Sequence, residues 1–309
     1  MQTGGMQDFG SARAGHRPAL GPVEGLLLLV AVIWGGSYSA AKIATGEVPV
    51  VQFLVLRFGL TFLLLLPALR GLAGAAWPAA LAGASLLGIN LLAIFVCETF
   101  GVSLTTASNA AFLISLCVAF TPLCEWWLLG ERPSRAVLAA AGLSLLGAGL
   151  LAFQHGGRSG LAWGDGLMVM AAFLRGVMVC LTRRHGQRHG LPALTVTAVQ
   201  MGVMALGSGL LMLAVHGPVW PPLPRSLPFW GAMAFLVLLC TLFAFFVQNH
   251  AASRTSPSRV ALLMGSEPLW GALIAVLWMG ERMAVQGWVG GLLIVVSAWW
   301  VTRRPAGGG

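Results

Sequence analysis

Charge is scarce in this chain of 309 residues. Asp, Glu, Lys and Arg make up only 9% of it, against roughly 25% in soluble domains, which excludes an ordinary water-facing surface. Lysine is nearly absent, with Lys42 beside seventeen arginines, and Tyr38 is the only tyrosine. The arginine excess, with abundant Ala and Gly, suggests a GC-rich genome and hence a bacterial source. The five cysteines, Cys97, Cys117, Cys124, Cys180 and Cys240, fall inside apolar runs without CxxC or CxxH spacing. Neither a metal site nor a disulfide framework is expected from them, and they read as small buried hydrophobes. No HExxH, GxSxG, HxxxxD or phosphate-binding P-loop occurs, and the six histidines lie in tails, loops or helix ends. Nothing assembles a nucleophile with a base, so no catalytic residue and no cofactor are expected. Net charge is +9, but no basic stripe with interleaved aromatics tracks a phosphate backbone, and nucleic acid is not an expected partner.

What the chain does have is hydrophobic sequence, 58% of the total. Apolar segments at 24–42, 50–69, 78–97, 105–129, 136–153, 164–182, 193–215, 228–249, 259–279 and 284–301 each approach the ~20 residues a spanning helix needs. The expectation is an all-α membrane protein of ten transmembrane helices with no sizeable soluble domain. The polar stretch 1–22, with Arg13 and Arg17, superficially resembles the start of a signal peptide. The apolar run from Gly25 to Ala41 exceeds a usual signal core, so an uncleaved first helix is expected. With both termini inside, twelve basic residues fall in cytoplasmic connections or tails, and four, Lys42, Arg158, Arg225 and Arg282, fall outside. That bias predicts cytoplasmic termini.

The chain repeats itself. Thr105-Thr106-Ala107-Ser108 and the later Leu129-Gly130-Glu131-Arg132 recur as Thr255-Ser256-Pro257-Ser258 and Met279-Gly280-Glu281-Arg282, at an offset of 150 residues. Glu98-Thr99-Phe100 aligns at the same offset with Gln248-Asn249-His250, and Glu24 to Lys42 aligns with Asp165 to Arg183 at an offset of 141. One five-helix unit has been duplicated. Because five is odd, consecutive copies enter the membrane from opposite faces, as inverted repeats do in secondary transporters, with the substrate site between them at the midplane. The expected divisions are a cytoplasmic tail 1–22, a first unit 23–154, a second unit 161–302 and a cytoplasmic tail 303–309.

These residues resemble the EamA-type family of the drug/metabolite transporter superfamily. Trp34-Gly35-Gly36-Ser37-Tyr38 through Lys42 is similar to its first-helix signature, and Thr106 to Arg132 and Arg254 to Arg282 to its fourth-helix pattern in two copies. The resemblance covers residues 24 to 302. It implies ten helices as two inverted EamA-like repeats, both termini cytoplasmic in a bacterial inner membrane, and export of amino acids or other metabolites. Two departures stand out: Arg175 occupies the position corresponding to Trp34, and Val118 the position corresponding to Pro268, the first copy carrying Pro122 instead. Helix breaks one turn apart are expected at Pro122 and Pro268.

Arg175 lies near the middle of the sixth segment, where a charge costs about 2.5–3.5 kcal/mol on an insertion scale. It reads either as an anion site or as a structural partner of Glu125 or Glu267. Glu267 precedes a proline that deletes a backbone donor. Such breaks face protein or a wet cavity in membranes, making Glu267 a candidate for binding a substrate amine or a coupling proton, with helix packing the alternative. A carboxylate that couples protons must alternate between buried neutral and exposed charged forms. Glu125, nearer the cytoplasmic end, is expected to reach the interface. Trp34 and Tyr38, one turn apart, share a face that could meet a solute or pack in the core. Asn90, Gln248 and Asn249 are polar groups available to the path. Arg57 and Gln200 align at an offset of 143 and read as a gate or an interhelical bond, the latter favoured. Ala140, Ser144 and Ala148, with Gly287 and Gly291, are spaced for close helix packing, in a scaffold or a homodimer. A small-molecule carrier in the lipid bilayer is the expected function, ahead of a channel, a structural or regulatory membrane protein and, last, an intramembrane enzyme.

Overall fold

The computed structural model describes residues 21–73, 77–104, 113–153, 163–189, 191–218, 220–279 and 284–302. No strand occurs among them; the protein is all-helical. The first copy comprises α1 (Pro22–Thr45), α2 (Val50–Leu65), α3 (Trp77–Leu104), α4 (Cys117–Leu129) and α5 (Arg135–Phe153). The second comprises α6 (Trp163–His189), α7 (Ala193–His216), α8 (Leu227–Ala252), α9 (Pro257–Met264), α10 (Glu267–Met279) and α11 (Val285–Thr302). Among the described residues, five helical stretches are long and apolar enough to cross a membrane: Val50–Leu72, Pro78–Gly101, Trp163–Gly186, Ala193–His216 and Leu227–Ala252. Shorter apolar helices cover Pro22–Ser37, Leu113–Leu129, Arg135–Leu150 and Val285–Trp300.

Local chemistry sets the ends. Ser226 and Ser256 cap α8 and α9, accepting from the N–H of Phe229 and Arg259 at 3.2 and 3.3 Å. Prolines sit in both first turns, where a missing donor is harmless. Gly130 closes α4 at φ 73°, its N–H donating to the Trp126 carbonyl at 3.0 Å, a left-handed stop that glycine adopts without strain. Pro67 turns the end of α2 into a 3₁₀ helix over Leu66–Leu72. α3 and α6 outrun their apolar segments, reaching Leu104 and His189.

Large apolar side chains coat the outside: Leu63, Trp127, Leu146, Leu206, Leu277 and Leu292 are all exposed. In a soluble protein such a coat would be an interaction surface; here it faces lipid. Since lipid is as apolar as a protein core, helix association depends on close packing. A Cβ built on Gly35 would lie 2.7 Å from the backbone nitrogen of Gly271, and one on Gly176 would lie 3.1 Å from that of Thr121. These are repeat equivalents, Gly35 with Gly176 at 141 residues and Thr121 with Gly271 at 150. The same close crossing is therefore built twice, α1 on α10 and α6 on α4. Packing is exchanged between the copies throughout: α3 lies on α6 as α8 lies on α1, α2 on α7, and α5 on α11. Ala140, Ser144 and Ala148 are buried, and a Cβ on Gly147 of the same helix would meet the Gly290 carbonyl at 2.5 Å. The small-residue stripe serves this internal scaffold, which removes the reason to assign it to a homodimer.

The two copies interrupt their fourth helices at one equivalent place. A turn at Leu116 precedes α4, and a turn at Gly265-Ser266 separates α9 from α10, again 150 residues apart. The expectation of a break at Pro122 is corrected: Pro122 is inside α4. Pro268 lies just past its interruption, in the first turn of α10, where it needs no donor.

Candidate functional site

Residues that touch their own repeat equivalents lie on the axis relating the copies. Two pairs do so. The guanidinium carbon of Arg175 stands 5.7 Å from the Trp34 ring centroid, and the rings of Phe95 and Phe245, 150 residues apart, lie 6.2 Å apart at 55°. Phe245 also packs on Trp34 at 5.6 Å. These four side chains from α1, α3, α6 and α8 form the centre of the molecule.

Arg175 is held from both copies. Its Nη2 donates to Glu98 at 2.7 Å and its Nη1 to Glu267 at 3.4 Å. Side-chain exposure is 21% for Arg175 and 14% for Glu98, against 7% for Glu267. Of the two partners proposed for Arg175, Glu267 is present and Glu125 is not. Glu98 was missed: its alignment with Gln248 was visible, but no spacing within one copy reports which helix of the other copy faces it. Glu267 opens α10, where the positive end of the helix favours its charge.

The polar backbone around this centre is also arranged in equivalent pairs. The Asn90 amide donates to the Leu174 carbonyl at 3.1 Å, and the Cys240 thiol, 150 residues on, reaches the Ile33 carbonyl at 3.7 Å; Ile33 and Leu174 are themselves equivalents. The Trp34 indole donates to the Cys240 carbonyl at 2.9 Å. Cys240 lies in a π-helical stretch, Leu236–Phe243, a rare form that is frequent at functional sites. Within it Thr241 donates to Leu236 at 2.7 Å and accepts from Arg57 Nε at 2.8 Å. Arg57 is buried between the rings of Phe58 and Phe95, at 5.5 and 5.3 Å.

Gln200, the equivalent of Arg57, exchanges hydrogen bonds with Asn249 at 2.7 and 3.4 Å, and Asn249 also donates to Thr197 at 2.9 Å. Both members of the Arg57 and Gln200 pair thus form interhelical bonds to α8, while Asn249 is engaged in a tie between α7 and α8. Gln248 is buried, and its Oε1 has no hydrogen-bond partner among the described residues. The Tyr38 side chain lies outside the described residues, as do positions 105–112 and 280–283 of the repeated motifs.

Glu125 belongs to a different place. It is buried, accepting from Arg183 at 3.2 Å and from both the N–H (3.2 Å) and the hydroxyl of Ser258. Arg183 also reaches Glu131 at 2.8 Å, and Arg259 pairs with Glu24 at 3.3 Å. These bonds tie together one end of α4, α6 and α9, and of α9 and α1.

The family model described as EamA-like transporter family matches residues 22–153 and again 162–303. The chain belongs to the EamA-like transporter family. Among relatives of this EamA-like protein, two from Archaeoglobus fulgidus are each named an uncharacterized transporter. One is 28% identical, with 90% of this chain and 96% of that protein covered; the other is 25% identical, with 90% and 85% covered. A protein of Streptantibioticus cattleyicolor named a probable terminal-alkyne amino-acid exporter is 25% identical, covering 65% of this chain and 66% of its own. A crystal structure superposes with a TM-score of 0.72 at 21% identity, covering 90% of this chain and 96% of the other, a likeness of fold alone. Family and apolar helices together make the EamA-like chain a multi-pass membrane protein of the transporter class.

Proposed function

We propose that the protein is a secondary carrier that exports small metabolites, amino acids or related solutes, by alternating access. In this reading ten helices cross a bacterial inner membrane as two inverted five-helix units with both termini in the cytoplasm. The fourth and ninth crossings are the interrupted ones. The observation that carries the reading is the ion cluster at the axis, where Arg175 from α6 is shared by Glu98 of α3 and Glu267 of α10. A charge cluster in hydrocarbon is costly and marks solute paths, and this one joins the two copies whose relative motion would open either side. Two carboxylates against one guanidinium suit an ammonium group or a coupling proton. The relative named an amino-acid exporter supports the solute class.

The test is counterflow in proteoliposomes loaded with each of the twenty L-amino acids in turn and diluted into the labelled compound. Saturable uptake with counterflow is expected for at least one of them. Flux that rises linearly without counterflow would make the protein a pore, and no flux of any amino acid would overturn the solute class.

A further inference from the structure

Among the described residues, Arg175 is ion-paired to carboxylates, whereas Arg57, the other arginine at the centre, feels the Glu98 charge without pairing with it. Arg57 is 6% exposed, and among the described residues no carboxylate lies within 4.0 Å of it. Its Nε is spent on Thr241, and neither Nη nitrogen has a hydrogen-bond partner among those residues. Its plane is fixed by Phe58 on its own helix and Phe95 on α3. Thr241 is itself fixed, its proton committed to the Leu236 carbonyl inside the π-helical stretch. A π turn displaces side chains from α-helical register, and here it delivers Thr241 to α2. The outcome is a guanidinium held in place along one edge with the rest of its fork unclaimed. A fixed fork of that kind matches a carboxylate, which takes two parallel N–H bonds.

We infer that Arg57 binds the carboxylate of an anionic or zwitterionic organic solute. The inference rests on the carrier reading above and assigns the solute's acid group to α2 rather than to Arg175. Phe95 and Glu98 lie three residues apart on α3, which puts them on one face. A solute seated on Arg57 therefore has the Glu98 and Arg175 pair next along that wall, where an ammonium would compete with Arg175 for the carboxylate. Phe95, Phe245 and Trp34 run between the two arginines as continuous ring contacts, an apolar floor for the carbon skeleton.

Thermal stabilisation of the purified full-length protein tests this, using the twenty L-amino acids and, for each, the amine left by its decarboxylation. The unsubstituted protein is expected to be stabilised by at least one amino acid and not by the corresponding amine. Arg57→Gln should raise the apparent Kd for that amino acid at least tenfold. Arg57→Lys, which keeps the charge without the fork, should raise it at least threefold and serves as the readout if Arg57→Gln does not fold. Equal stabilisation by acid and amine, affinity within twofold in either folded variant, or no stabilisation by any amino acid would overturn the inference. Counterflow of a solute lacking a carboxylate would overturn it too while leaving the carrier reading intact.

Discussion

Phe95 and Phe245 occupy the same position in the two copies of one duplicated unit, and their rings meet at 6.2 Å. Such a contact between equivalents fixes where the axis runs, and the second such contact, Arg175 over Trp34 at 5.7 Å, is chemically unlike the first. The duplicated architecture is kept while one member of the central pair has become a cation.

Removing that cation should be costly. Arg175→Gln leaves Glu98 and Glu267 facing a neutral amide, and loss of one partner from a buried pair costs about 3–5 kcal/mol, toward the lower figure here because Arg175 keeps some exposure. A fall in melting temperature in detergent checks this. Adding Glu98→Gln to the same protein should recover part of the loss, a positive coupling that two independent surface charges would not show.

Glu267→Gln should preserve the fold and amino-acid flux while abolishing any dependence of that flux on an imposed pH gradient. Measuring uptake with and without the gradient in vesicles decides it. An unchanged gradient dependence assigns proton coupling elsewhere.

The helix crossings at glycine should be graded. Gly35→Ala puts a methyl group 2.7 Å from the Gly271 nitrogen, backbone that cannot rotate away, whereas a Cβ on Gly25 meets nothing within 4 Å. Overpacking of this kind costs about 1–3 kcal/mol, so thermal denaturation should show Gly35→Ala clearly destabilised and Gly25→Ala unchanged. Gly176→Ala, at 3.1 Å from Thr121, should fall between them.

Glu125→Gln should lower stability by about 1–3 kcal/mol, the cost of leaving buried hydrogen-bonding groups unmatched. Arg183 retains Glu131 in this variant, so the loss should be smaller than for Arg175→Gln. Comparing the two melting temperatures checks the order.

The repeat could be read residue by residue from the sequence because offsets of 150 and 141 survive at Glu98, Trp34 and the glycine crossings. That Arg175 stands where Trp34 has its equivalent was legible in the same way. Their mutual contact was not, since it depends on which helices meet across the axis, and nothing in a linear offset carries that. The same gap hid Glu98 as a partner of Arg175 and left Glu125 as a candidate for that place, where the structure gives it Arg183 and Ser258 instead. Pro122 misled for a different reason. A proline removes one donor, and a helix already interrupted six residues earlier, at Leu116, has no need of a second break there.

The exchange of contacts between copies also bears on how the protein is made. Glu98 and Arg175 are 77 residues apart, and synthesis runs at about 5–20 residues per second, so α3 precedes the guanidinium it binds by several seconds. The first five helices leave the ribosome with their central carboxylate unmatched and their glycine seams open. Assembly is therefore completed by late docking of the second copy, and a chain truncated after α5 would present quality-control proteases with a membrane-embedded acid and half an interface.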